Sequence, residues 1–549
     1  MSLDAKIHQL RKLLTSHRLN GFLIPSKDEF QNEYTPEESN RLKFITGFSG
    51  SNGVALITHK QTILFTDGRY LLQAEQELSK EFLILNITQL YDNQYLSGNI
   101  GYDPKLHTAK NLSLYKNVNL LACDNLVDKI WIEKPTITTK KTFEYPIKQA
   151  GETSSDKINK ISNYLQINQI DSLIITDPAN ICWLLNQRGN DIEYNPIFLA
   201  YAILSQNGKL DLFMNNDRDL SLFSNHLQSL ANKNVQIDSN SASIWISNHI
   251  INPIFKEDPC LLAKACKNKT EIQQARRIHA IDGVALCKLL HWIENNQTTE
   301  IGVAEKLLEF RSLNKDFLYP SFATIAGFSE HGAIIHYHAT ETSNKKIEGN
   351  ALFLLDSGGQ YFGATTDITR VIPIGKTTYQ QKLDFTLVLK GHIALAMAKF
   401  PQGTSGANLD ILARQFLWQY NKDYAHGTGH GVGNCLSVHE GPQSISKINT
   451  HPLMAGMIIS NEPGYYKTGE YGIRIENLML IKELKNGYLG MEILSLAPID
   501  QRLISKKLLT LTEIEWLNSY HQKVYQKLSP HLNKEEKAWL KNSCRLIAR

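Results

Sequence analysis

Five side chains in the C-terminal half have the types and surroundings for chemistry. They are Asp356 ending the apolar run in ALFLLDSGG, Asp367 eleven residues later in TTDITR, His430 in AHGTGHGVG, Glu462 in SNEPGYY and Glu476 in GIRIEN. Gly358, Gly359 and Gly363 lie between the two aspartates and allow a tight strand-to-strand return, so two strands could aim both carboxylates inward. Four carboxylates and one imidazole are hard oxygen donors plus a borderline nitrogen, a set suited to Mn, Fe, Co or Zn. The lack of a thiolate argues against a structural zinc site. If these residues converge, four crowded carboxylates repel and are forced to protonate. Two divalent cations would neutralise all four, so the cluster fits a metal pair better than a single ion.

Each residue alone has an ordinary explanation. An aspartate before Ser-Gly-Gly is commonly a turn residue, His430 could be a loop histidine, Glu462 an exposed acid before Pro463, and Glu476 an ion-pair partner of Arg474. Counting Asp367 as well, these readings require five coincidences. His331 and His338 read instead as surface or hydrogen-bonded core histidines and stay outside the candidate site. HGTGHGVG is not a dinucleotide fingerprint, because Asn434 stands at the final position counted from Gly429, and PIGKTT lacks the upstream glycine of a P-loop.

The elements that must position this cluster can be placed by periodicity. After Lys267, Asn268 or Thr270 is a candidate N-cap for a long helix with Ile272, Ile278, Ile281, Val284, Leu286 and Leu289 on its apolar positions. From Ala351 to Leu496 the pattern changes to short β-rich runs between glycine-containing turns, which predicts mixed α and antiparallel β. The tail repeats a capping-box pattern at Thr512 to Glu515 and Asn533 to Glu536, with Ser529-Pro530 between them and Trp516, Leu517, Val524, Trp539 and Leu540 to bury. Further upstream, two stretches about 150 residues apart are alike: QLRKLLTSHRLNGFLIPS with FITGFSGSNGVALI, and KISNYLQINQIDSLIITD with WLLNQRGNDIEYNPIFLAYAI. Each predicts an amphipathic helix, an apolar strand, a turn and further strands. The expected organisation is two related α/β domains over 1–145 and 146–265, an α+β domain over 266–500 and a helical tail over 501–549.

Bulk properties agree with a multidomain globular chain. At 549 residues it exceeds a single core, and 42% hydrophobic with 20% charged residues leaves little room for extended disorder. The 58 basic and 54 acidic side chains are too balanced to advertise a nucleic-acid or membrane surface. Seven scattered cysteines with no C-x-x-C suggest neither a disulfide framework nor a zinc ribbon. The N-terminal stretch places Ile7, Leu10, Leu13 and Leu14 at helical spacing among polar residues, unlike an export signal. No window reaches the roughly 20 apolar residues of a membrane span, and a cytoplasmic location is expected.

A resemblance covers nearly the whole chain. FSGSNGVALI, FTDGRYLLQA, WLLNQRGNDIEYNPIF, GAIIHYH, DSGGQY, TTDITR, HGTGHGVG, VHEGP, NEPGYY and YGIRIEN, in that order, and the tail LTEIEWLNSYH resemble segments of the creatinase and methionine-aminopeptidase, or pita-bread, family. The similarity is greatest to its three-domain cytosolic Xaa-Pro aminopeptidases. It implies two creatinase-like domains, a pita-bread metallopeptidase domain and a C-terminal helical extension. It also implies removal of one N-terminal residue from peptides with proline second. Under it Asp356 chelates one metal, Asp367 and Glu476 bridge both, and His430 and Glu462 complete the second. The metals would be two divalent ions, Mn2+ with Zn2+ or Co2+ as alternatives, sharing a bridging water or hydroxide as nucleophile. Glu462 would shuttle the proton, while His336, His426 and His439 would face substrate and the tetrahedral oxyanion. Arg474, two residues before Glu476 and on its face if this is one strand, would orient a ligand carboxylate. A homodimer is also implied, for which Trp516 and Trp539 offer anchors. Prolidase, restricted to dipeptides, is the alternative enzyme. A non-catalytic pita-bread scaffold that binds proteins is the alternative outside enzymes, and would be expected to have lost the ligands that this chain keeps.

Overall fold

The computed structural model describes residues 1–91, 94–137 and 140–548. The chain forms two compact units, one of Met1–Glu144 with Glu152–Leu261, the other of Tyr145–Gly151 with the chain from Leu262 onward.

The first unit contains the repeat read from the sequence. Helix Leu3–Ser16 starts at Ser2, whose hydroxyl accepts from the Ala5 amide, and buries Ile7, Leu10 and Leu14. It leads into strand Gly21–Pro25, which pairs antiparallel with Gly53–Thr58 and parallel with Asn99–Tyr102. In the second half, helix Ser154–Ile167 opens with a capping box between Thr153 and Asp156. Strand Ser172–Ile175 follows, antiparallel to Ala200–Ser205 and parallel to Val235–Ile237. Both halves thus use one plan: a helix, a central strand, a hairpin on one side and a parallel strand on the other. The sheets contain six and five strands.

The second unit begins with the predicted long helix, Lys269–Asn295. Asn268 is its cap, its side chain accepting from the Thr270 and Glu271 amides while Glu271 returns to the Asn268 amide. Three antiparallel strands, Ile325–Phe328, Ala351–Ser357 and Ile368–Ile374, pair with Asp356 opposite Thr369. A six-stranded sheet includes Gly429–Gly431, Glu440–Ile445, Ile458–Asn461 and Asn477–Glu483. A hairpin pairs Gly464–Lys467 with Tyr471–Arg474. Helices Tyr379–Ala396 and Gly406–Trp418 complete the central packing.

The tail forms helices Leu511–Leu528 and Lys534–Ser543. The second has the expected Asn533 and Glu536 capping box. The first departs from expectation: its box is formed by Thr510 and Glu513, two residues upstream of the Thr512 to Glu515 pattern. Both tail tryptophans are used within the chain. Trp516 stacks on Tyr520 with ring centroids 5.6 Å apart, and the Trp539 indole donates to Glu294 at 2.7 Å. Among the described residues, no helix is long and apolar enough to cross a membrane.

Gly283 shows how closely the long helix is packed. A β-carbon there would stand 2.3 Å from the Leu496 carbonyl oxygen. Alanine normally improves a helix interior by about 1 kcal/mol over glycine, whereas overpacking against backbone costs about 1 to 3 kcal/mol. Gly283→Ala is therefore expected to destabilise the protein, with a lowered midpoint in denaturant unfolding. An unchanged or raised midpoint would contradict the packing argument.

Candidate active site

Several strand ends deliver the five candidate ligands to one place. Asp356 occupies the penultimate position of Ala351–Ser357, and Asp367 immediately precedes Ile368–Ile374. His430 is the middle residue of Gly429–Gly431, Glu462 follows Ile458–Asn461, and Glu476 lies in the break between Tyr471–Arg474 and Asn477–Glu483. One ligand atom from each of Asp367, His430 and Glu476 lies within 4.8 Å of the others. The His430 Nε2 is 3.5 Å from both Asp367 Oδ2 and Glu462 Oε1.

Hydrogen bonds orient these groups. The His430 Nδ1 is 2.9 Å from the Gly431 carbonyl, which can only accept, so Nδ1 carries the proton and Nε2 presents its lone pair to the carboxylates. The Thr369 hydroxyl donates to Glu476 Oε2 at 2.8 Å, and the Ser460 hydroxyl to Glu462 Oε1 at 3.3 Å. Arg474 donates to Asp356 Oδ2 at 2.6 Å. The sequence had placed Arg474 and Glu476 on one strand face. Instead the strand ends at Arg474, which reaches Glu476 only through Thr369 at 3.2 Å.

The opposite oxygens are the informative ones. Asp356 Oδ1, Asp367 Oδ1 and Glu476 Oε1 are buried without a hydrogen-bond partner. Buried polar atoms are ordinarily satisfied, so three such oxygens in one cluster point to cations. Burial, reinforced by the Asp356 and Glu462 charges, raises the Asp367 pKa well above the usual carboxylate range. Burial with the charges of Asp367, Asp356 and Glu462 does the same to Glu476. Of the carboxylates, Arg474 pairs with Asp356. Donor type, orphaned oxygens and excess negative charge therefore fit divalent metal ions.

The three further histidines surround this cluster at different removes. His439 packs edge-on against His430 with centroids 4.3 Å apart. The His426 Nε2 meets the Tyr466 hydroxyl at 2.9 Å, and that hydroxyl accepts from Arg474 at 2.6 Å. His336 is half-buried and follows Ile335, whose carbonyl lies 3.4 Å from both terminal nitrogens of Arg474. His331 is hydrogen-bonded to the buried Glu300 at 2.8 Å, and His338 is exposed. Tyr466 and Thr369 were not singled out in the sequence. Tyr466 stands in the quoted NEPGYY, and Thr369 follows Asp367 at the spacing that shares a strand face.

Comparison with known proteins accounts for nearly all of the chain. Residues 273–483 match the model of metallopeptidase family M24 and residues 487–547 its C-terminal region. Residues 6–130 and 133–271 each match a creatinase/prolidase N-terminal domain. A probable Xaa-Pro aminopeptidase P of Laccaria bicolor is 37% identical over 98% of this chain and 93% of its own length. The chain belongs to the M24 metallopeptidases, within the Xaa-Pro aminopeptidases. Xaa-Pro aminopeptidase 1 of Dictyostelium discoideum is 35% identical over 99% of this chain and 96% of that protein. The crystal structure of an X-prolyl aminopeptidase from Caenorhabditis elegans, described as a cytosolic enzyme with a di-nuclear active site, superposes with a TM-score of 0.94. It is 32% identical and is covered, like this chain, over 100% of its length. The α+β domain is thus an M24 pita-bread domain preceded by creatinase-type α/β domains, as the sequence led us to expect.

Removing the guanidinium from a site that concentrates carboxylates should loosen its hold on metal. Arg474→Met is expected to weaken divalent-metal binding about 10- to 100-fold, the usual effect of losing a group that orients a ligand. Calorimetric titration with Mn2+ measures it, and unchanged affinity would remove Arg474 from this role.

Proposed function

We infer that this protein is a metallo-aminopeptidase that hydrolyses the bond between an N-terminal residue and a following proline. The observation that carries this reading is the five-residue donor set with its orphaned oxygens, found in a chain similar over its full length to Xaa-Pro aminopeptidases. Asp356, Asp367, His430, Glu462 and Glu476 would hold two divalent ions. When bound, such ions supply Lewis acidity toward the scissile carbonyl and an activated water near neutral pH. Mn2+ is the proposed metal, with Zn2+ or Co2+ as alternatives.

The side chains perform the rest. The Glu462 carboxylate is partly exposed, so it can take the proton released by the attacking water and pass it to the departing proline nitrogen. That nitrogen belongs to a tertiary amide and leaves as a secondary amine only if protonated. His439, packed on His430, would donate to the oxyanion. A preorganised donor of this kind contributes about 10²- to 10³-fold in kcat. His426, braced by Tyr466, and His336 would close around the proline ring. Proline has φ fixed near about −65° and no N–H, so it reaches the site already held in one conformation and loses less entropy on binding. We further propose a cytoplasmic homodimer built through the catalytic domain and its tail.

Three measurements test these assignments. Asp367→Ala should lose metal, whereas His439→Ala should keep metal and lose kcat. Equal metal loss in both would overturn the assigned roles. Product masses should show Xaa-Pro-Yaa cut after Xaa, with Xaa-Ala-Yaa and N-acetyl-Xaa-Pro-Yaa left nearly intact. Comparable kcat/KM for the proline and alanine peptides would refute the specificity. Light scattering at micromolar concentration should report a dimer, and a monomer would overturn that part.

A further inference from the structure

The catalytic unit contains a cavity of about 670 Å³ none of whose lining residues belongs to the proposed metal site. It lies among helix Lys269–Asn295, the end of helix Glu300–Ser312, strand Tyr488–Ile493 and the tail helix Leu511–Leu528. Its size falls within the roughly 300 to 1,000 Å³ of small-molecule sites. The wall is largely apolar, with Ile281, Val284, Phe310, Leu313, Leu494 and Leu496 contributing.

Its charges are one-sided. Arg276, Arg277, Lys288, Arg311, Lys523 and Lys527 line it, against the single acid Glu492. Glu492 is already taken by Arg276, through two contacts of 2.8 Å, and Arg277 is held by Asp316 at 2.7 Å. Lys523 donates to the Ile493 carbonyl at 2.6 Å. Burial lowers its pKa, and the cations Lys527, Lys482 and Arg276 lower it further against the opposing pull of Glu492. Lys288 and Lys527 have neither ion-pair nor hydrogen-bond partners among the described residues. Of the remaining polar lining, Arg311 donates to Asp282 at 2.8 Å, as does the Tyr361 hydroxyl at 2.7 Å. The charge left uncommitted at this cavity is therefore that of Lys288, half-buried, and Lys527, exposed, beside the apolar surface of the wall.

We propose that this cavity binds a small amphipathic carboxylate, its acyl or aryl body against the apolar wall and its head toward Lys288 and Lys527. A neutral ligand would forgo the attraction of both ammonium groups, and a cationic one would add to the repulsion around Lys523. Recognition by apolar burial with a few placed charges is the usual composition of such sites.

The test uses the full-length, Mn2+-loaded protein and decanoate below its micelle concentration, with decanol and decyltrimethylammonium as controls. Calorimetry should show saturable decanoate binding at one site, a rise in Tm, and at least tenfold weaker binding of both controls. The paired substitution Lys288→Glu with Lys527→Glu should weaken decanoate at least tenfold and leave peptide turnover unchanged. Ala280→Phe, which fills the cavity from the long helix, should abolish binding while preserving the unliganded Tm within a few degrees. Three results would overturn the proposal: undiminished decanoate binding in both variants, which would place it at the metals; equal binding of the cationic amphiphile; or a dimer in the unsubstituted protein that Ala280→Phe dissociates, which would make this face a contact with a second copy. Because the readout is binding, failure here leaves the peptidase reading intact, and failure of peptide cleavage leaves this one intact.

Discussion

The mutual repulsion of Asp356, Asp367, Glu462 and Glu476 is the constraint around which the catalytic unit is organised. Bringing four carboxylates together and burying three of them opposes both Coulomb's law and hydration. A loose scaffold would let them separate. Here the backbone prevents it: Asp356 and Thr369 face each other across an antiparallel pair, and Glu462 is tied by its own amide to the Thr428 carbonyl at 2.8 Å. Two glycines mark how little space remains. A β-carbon on Gly358 would stand 1.9 Å from the Thr366 carbonyl oxygen, and one on Gly472 would stand 1.7 Å from that of Gly332. The folding energy of the surrounding sheets therefore holds the charges together, and the affinity for cations is the return of that strain.

Groups farther out fix the groups that touch the cluster. Arg370 donates to the carbonyls of Thr369, Glu476, Ala497 and Pro498, to Asn477 and to the Tyr520 hydroxyl. Tyr520 belongs to the tail helix, so the C-terminal extension is part of the support for the Glu476 backbone. Glu300 acts similarly beneath the loop that carries His336. Its buried carboxylate accepts from the Phe328 and Lys345 amides, the Tyr337 hydroxyl and His331. His331 thus has the hydrogen-bonded role that its surroundings in the sequence suggested.

The candidate donors stood out in the sequence by type and surroundings, Asp356 and Glu462 where an apolar run meets a glycine or proline turn and His430 among glycines, with Asp367 and Glu476 in apolar segments nearby. Helix starts were legible where the cap was unique, as at Asn533, and at Asn268 the structure selects one of the two caps the sequence offered. They failed where it was degenerate: Thr510 and Thr512 both have a glutamate three residues on. The choice is tertiary, since Glu513 also receives Lys390 at 2.7 Å, an interaction 123 residues away in sequence. Arg474 was misplaced relative to Glu476 for a related reason. Period-two reasoning assumes an unbroken strand, and the break after Arg474 turns its guanidinium to Asp356, 118 residues distant. Tyr466 and Thr369 are single hydroxyls whose importance exists only in the folded arrangement.

One device within this site is nonetheless local. In HGTGHG, His426 and His430 are each followed by glycine, and each directs Nδ1 to the carbonyl of that glycine, at 2.7 and 2.9 Å. A carbonyl only accepts, so both neutral imidazoles are held as the same tautomer with Nε2 as acceptor. The consequences differ because the surroundings differ. His430 offers its lone pair to the carboxylate cluster, where a cation can use it. His426 offers its lone pair to Tyr466, whose hydroxyl must then donate to it while accepting from Arg474. The direction of that chain, from guanidinium through phenol to imidazole, follows from one backbone carbonyl. A proton placed on the His426 Nε2 would turn this acceptor into a donor facing a hydroxyl that already receives Arg474, and the phenol would have to turn its own proton elsewhere. His426 is thus linked through the Tyr466 hydroxyl to the same guanidinium that orients Asp356. Under the proposed function, metal retention and the closing of the pocket around proline would both depend on that side chain.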